Sequence, residues 1–187
     1  MPDQLTAPAR AGLASPPRRS PVLALVAQAL AVVVALVVAG LVAAVVWFQL
    51  WSPSTGVVQD GRWFTNEDGL RSAFAGTGLF VLVAVLTGFL VGAVTAFLFD
   101  RSELLTLAAT IVGAGLGGWL MLRLGLEWSP ADPQVLARTV PDGTELESAL
   151  VVDLPHAWLA LPGGALVGMA VVFLVTTKRA VAGTDPH

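Results

Sequence analysis

A chain of 187 residues that is 56% hydrophobic and only 12% charged departs from soluble domains, which run to about 45–50% apolar and about 25% charged. Its net charge of −3, from 10 basic and 13 acidic residues, excludes the basic footprint of a nucleic-acid-binding protein. Cysteine is absent, which excludes disulfide staples, thiolate metal sites and cysteine nucleophiles.

Residues 1–21 are rich in Ala, Pro, Ser and Arg without an apolar period, and read as a disordered cytoplasmic tail. The first long apolar run follows, Val22 to Val46, with Gln28 its one strongly polar residue. Three more run from Leu79 to Phe99, Leu104 to Leu122 and Trp158 to Thr177. Crossing the hydrocarbon takes about 20 apolar residues, and in lipid every backbone amide needs a partner, so each run is expected as a transmembrane helix. A cleaved signal sequence is the other reading of the first run, but the run exceeds a signal core of about 7–15 residues.

The short connection Asp100-Arg101-Ser102-Glu103 predicts a tight antiparallel hairpin of the second and third helices. The outer loops, 52–78 and 125–157, each hold an Asp-Gly pair between strand-prone residues. The first is Asp60-Gly61, between 57–59 and 62–65; the second is Asp142-Gly143, between 135–140 and 144–152. Asp-Gly favours the positive φ of a hairpin turn, so a small β-containing cap is expected. The loops pair with each other or lie on the helix ends, because an isolated hairpin is marginal in water. Residues 178–187 form a second cytoplasmic tail, and 22–177 the four-helix domain.

Orientation follows from the basic residues. An N-in, C-in arrangement puts Arg10, Arg18, Arg19, Arg101, Lys178 and Arg179 inside and leaves Arg62, Arg71 and Arg138 outside. Trp47, Trp51, Trp128 and Trp158 then fall at the outer ends of their helices as interface anchors, with Trp119 nearby. The expected fold is thus an all-α four-helix bundle with a small extracytoplasmic cap, in the inner (plasma) membrane.

No Asp, Glu, Lys, Arg or His lies inside the four runs. Intramembrane ionisable groups mark proton relays and ion paths, so their absence argues against coupled transport and intramembrane catalysis. Asp153 with His156, and Asp142 with Glu145 and Glu147, are the nearest approaches to metal-ligand clusters. Neither has ordered ligand spacing, and solvated loop residues are the better reading. No cofactor, metal or catalytic residue is assigned. Small residues four apart recur instead, at Gly88 and Gly92, Gly113 and Gly117, and Gly164 and Gly168, as expected of close helix packing. These faces serve the bundle itself, a membrane-protein partner or a second copy. Arg123 and Glu127 have pairing distance along a helix, and Pro162 is expected to loosen the first turn of the last helix.

The first helix ends at Trp51-Ser52-Pro53, the glycine-rich hairpin closes at Asp100-Arg101-Ser102, helix three leaves through Leu124-Gly125, and the last helix starts through Leu161-Pro162. In these features the chain, over about 22–177, resembles an uncharacterised group of actinobacterial four-helix membrane proteins known as domain of unknown function 2567. The resemblance implies a multi-pass membrane fold and no activity. The expectation is a non-enzymatic inner-membrane protein, an accessory or scaffold subunit in cell-envelope assembly or transport. The alternative is a small uncoupled transporter or lipid-binding protein with Thr87, Thr95, Thr106 and Thr110 as polar lining. An envelope enzyme using outer-loop acids is a third.

Overall fold

A computed structural model describes residues 21–98 and 102–182; both tails and the Asp100-Arg101 turn lie wholly or largely outside it. The apolar runs become α1 (Pro21–Leu50), α2 (Glu67–Leu98), α3 (Glu103–Glu127) and α5 (Ala160–Ala182), the last continuing a single 3-10 turn, Ala157–Leu159. All four are long and apolar enough to cross a membrane. Their outward side chains are apolar too, Val26, Leu90 and Val167 among them, as in helices surrounded by lipid. Pro162 falls in the first turn of α5, where its missing N–H costs no helical bond.

The second helix is longer than its apolar run. It begins at Glu67 rather than near Leu79, which shortens the loop expected over 52–78 to the stretch after Leu50 and before Glu67. Asn66 explains the start: its backbone and side-chain oxygens both accept from Gly69 N–H, at 3.1 and 3.2 Å. Glu67 then places a negative charge at the positive end of the helix.

The cap is one antiparallel sheet of β1 (Thr55–Gln59), β2 (Arg62–Phe64) and β3 (Glu145–Glu147), in the order β2-β1-β3, so the two loops do pair. Val57 faces Phe64 across one ladder and Glu145 across the other. Asp60 and Gly61, at φ 51° and 66°, close the β1–β2 hairpin as expected of Asp-Gly. The second Asp-Gly also turns, with Gly143 at φ 86°, but it does not join two strands. Residues 135–140, expected as a strand, contribute instead to α4 (Pro133–Leu136) and the turns after it. Asp132 caps α4, its side chain accepting from Gln134 N–H at 2.8 Å, and Pro133 supplies the preset first-turn φ.

The closest helix neighbours are not the sequential ones. α1 packs mainly on α3 and α2 on α5, while α2 and α3 meet little, so the expected tight hairpin of those two helices is corrected. α1 and α3 both end at the cap and α2 and α5 both begin there, which makes each close pair parallel. The glycines make the approach: a Cβ on Gly88 or Gly92 would strike the backbone of Leu161 or Ala165, and one on Gly164 or Gly168 that of Val85 or Phe89. Gly113 sits on Val33 and Leu36, and Gly117 on the Leu36 carbonyl. The small-residue faces are therefore spent inside the bundle.

These contacts have a regularity that the sequence reading missed. Gly88 lies on Leu161 and Gly164 on Val85; both 88 to 164 and 85 to 161 are steps of 76 residues. The segment Gly88-x-Leu90-Val91-Gly92, then four intervening residues and Phe97-Leu98, recurs as Gly164-x-Leu166-Val167-Gly168 and Phe173-Leu174. Trp51-Ser52-Pro53 recurs 77 residues on as Trp128-Ser129-Pro130. Gly40 sits against Gly117, also 77 residues away, as a position on an approximate two-fold axis must sit against its own counterpart. The bundle is two copies of a helical hairpin, α1–α2 and α3–α5, packed face to face.

One polar bridge crosses α1 and α3 at the end away from the cap: Gln28 Nε2 donates to Thr106 Oγ1 at 3.0 Å. Replacing Gln28 with Leu should cost about 0.6 kcal/mol, the average for such bonds in membranes, read from unfolding in mixed micelles.

Candidate functional site

Where α1 and α2 meet the cap, a cleft of about 400 Å³ opens between the sheet and the bundle. Its floor is one face of the first turns of α2, where Gly69, Ser72 and Gly76 recur at helical spacing, with the Thr65 side chain packed on Gly69. Trp51, the residue after α1, forms the inner wall, its N–H continuing the helix by bonding to Trp47 O at 3.0 Å. β2 brings Trp63 and the following Thr65; the start of α4 brings Asp132 and Gln134 to the rim. Among the described residues, Asp132 is the one titratable residue on these walls.

Hydrogen bonds hold the walls in place. Trp63 Nε1 donates to Leu146 O at 3.1 Å, tying β2 to β3 across the shared strand. Gln134 Nε2 donates to Trp63 O at 2.9 Å, tying α4 to the sheet. Ser54 links the opposite side, its N–H donating to Ser148 Oγ and its hydroxyl 3.0 Å from Ser72 Oγ. The cleft arises where the two hairpins differ. By the 76-residue step, the first turns of α2 correspond to 143–154, which in the second copy are β3 and extended chain.

A second feature lies on the outside of the cap. Phe64 on β2 and Val135 on the adjoining α4 are 53% and 62% exposed, although no candidate membrane span includes them.

The residues singled out from sequence separate into groups. The six packing glycines all face neighbouring helices. Trp47 is a core residue rather than an interface anchor: it is fully buried, donates to Gly76 O at 3.0 Å and stands edge-on to Phe80. Trp51 is buried, Trp158 half-buried, and Trp128 exposed beside Phe48. Arg123 lies 5.5 Å from the Trp119 ring centre, a cation–π contact in place of a pairing with Glu127. Asp142 accepts weakly from Gly61 N–H, Glu145 and Glu147 are exposed on β3, and His156 starts the 3-10 turn in the left-handed region. No group of three or more potential metal ligands occurs among the described residues. Thr95 and Thr106 donate to carbonyls of their own helix or its cap, while Thr110 is buried without a partner.

The cleft itself escaped the sequence reading, because its walls come from five separate segments. The signal that could have found it is the polar, small-residue stretch after Asn66, which is helical yet too polar to be a span. Comparisons with protein-family models, with curated proteins and with solved structures give no match.

Proposed function

We propose that this chain is a non-enzymatic multi-pass protein of the inner membrane, with both termini cytoplasmic and the cap outside. It serves as an accessory or scaffold subunit in cell-envelope assembly or transport, a role that fits a bundle free of charges in its apolar runs with long loops gathered at one end. The observation that carries this reading is that Phe64 and Val135, on adjoining elements of the cap, are both apolar and exposed. Exposed apolar side chains outside the candidate membrane spans are what a docking surface needs. The glycine faces support the same reading, since their use within the bundle leaves the cap as the surface free to dock. The uncoupled-transporter alternative is weaker, because Thr95 and Thr106 already bond to backbone carbonyls.

Affinity purification in a mild detergent tests the role. The parent chain should bring down a stoichiometric membrane or envelope partner, and the double substitution Phe64→Asp and Val135→Asp should lose it while remaining folded. A parent that purifies as a lone monomer would sink the reading. Orientation has its own test, since the natural chain has no cysteine. Ala131→Cys, exposed beside α4, should react with an impermeant maleimide on intact cells, and Thr184→Cys only after lysis. The reverse pattern would invert the topology.

A further inference from the structure

The cleft contains a hydrogen-bond donor that the fold leaves unused. Trp51 is only 8% exposed, yet its indole N–H has no acceptor among the described residues, whereas the indoles of Trp47 and Trp63 are both paired. The Cδ1–Nε1 edge of Trp51 lies over Gly76, each atom 3.6 Å from where a Cβ there would stand, and both residues line the cleft. On the same walls Thr65 Oγ1 is buried without a partner. The Thr65 hydroxyl is a buried group left unpaired, at a cost of about 1–3 kcal/mol, and the Trp51 N–H is not paired by the described residues and keeps access to solvent, so the cleft offers a ligand two unused polar positions.

We propose that this cleft binds a neutral, hydroxyl-rich group of sugar size, the glycosyl headgroup of a membrane lipid or the same sugar free in solution. The proposal rests on the reading of the cap as the outer face. The wall chemistry selects the class. An anionic phosphate would meet no Lys or Arg among the described residues on the walls and would face the Asp132 carboxylate. A cationic ammonium seeks the face of an aromatic ring, and Trp51 offers its N–H edge, the positive side. A peptide adding as a strand to β2 would need the Trp63 carbonyl, which Gln134 already occupies. Hydroxyl groups fit all the vacant positions. Their oxygens accept from Trp51, their protons reach Asp132 and Gln134 Oε1 at the rim, and they exchange either role with Thr65. The volume, about 400 Å³, suits a small polar ligand. Trp51 directly follows the apolar span ending at Leu50 and Gly76 lies just inside the one beginning at Phe74, so the floor opens at the level of lipid headgroups.

The full chain carrying Ala149→Cys, a half-buried cleft position, would be placed in phosphatidylcholine nanodiscs and its rate of reaction with a maleimide measured. Digalactosyl diacylglycerol in the disc should slow the reaction at least about five-fold, and phosphatidylglycerol should not. Slowing by lactose in solution would also support the site and would assign it to free sugar. Trp51→Phe, which keeps the ring and removes the N–H, should weaken protection about ten-fold, the scale of one hydrogen bond. Thr65→Val is a second, nearly isosteric probe and should weaken it in the same direction. Equal slowing by phosphatidylglycerol, no slowing by either sugar probe, or full protection in both folded variants would overturn the proposal. Outward labelling at Ala131→Cys combined with no sugar protection would sink this inference alone, whereas inward labelling there would remove the reading beneath it.

Discussion

Replacing Gly92 with Val should strip about 1–3 kcal/mol from the bundle, because the new side chain meets the Ala165 backbone rather than a movable side chain. Lipid tails are as apolar as the helices, so no hydrophobic force holds α2 and α5 together once their backbones separate. The same change at Gly168, which meets Phe89 in the mirrored position, should cost a similar amount. The two together should cost less than the sum, since one separation relieves both clashes. Gly163→Ala is the control: nothing lies within 4 Å of its Cβ position, and helix propensity favours Ala by about 1 kcal/mol at an interior site. Reversible unfolding in mixed micelles measures all four variants. If Gly92→Val unfolded like the parent, close backbone packing would not be what joins these helices.

The second large effect is expected at Trp47. Its ring fills the space between α1, α2 and α3, 4.9 Å from the Phe80 ring centre and packed on Gly125, and its N–H satisfies the Gly76 carbonyl. Trp47→Ala should cost about 3–5 kcal/mol through the cavity it leaves. Trp47→Phe keeps most of the ring contact and loses the second hydrogen bond to a carbonyl already bonded within its helix, for about 0.5–1.5 kcal/mol. The ordering Ala worse than Phe worse than parent is the measurable signature in the same unfolding assay. Equal losses in the two variants would mean that the hydrogen bond, not the ring's volume, dominates.

The bundle was legible because one-solvent physics governs it: uncharged runs of spanning length leave helix as the available answer. The cap was half legible. Asp60-Gly61 closed its hairpin because both positions tolerate positive φ, and the loops paired because neither is stable alone. Residues 135–140 misled, because Val and Thr suggest a strand while Asp132-Pro133 had already set a helical turn. The early start of α2 was obscured because hydropathy was weighed above the Asn66 cap. The anchor role of Trp47 failed for a related reason: a tryptophan near a helix end reads the same whether it faces lipid headgroups or a neighbouring helix. The cleft could not be read along the chain, as no single segment holds two of its walls. The duplication was readable and overlooked, since the strong composition bias toward Ala, Val, Leu and Gly hides a repeat unless identical words such as Trp-Ser-Pro are compared directly.

The doubled hairpin also carries a cost in the order of synthesis. α1 and α2 leave the ribosome first, yet the helices they pack against most closely, α3 and α5, follow them. Until the second hairpin arrives, Gly40, Gly88 and Gly92 lack the backbones of Gly117, Leu161 and Ala165 that cover them in the finished bundle. The first hairpin therefore carries, before its partner is made, grooves shaped for helices that are still to come. The short tether from Leu98 to Glu103 delivers that partner at high local concentration, so that covalent continuity does at birth what symmetry does in the finished bundle.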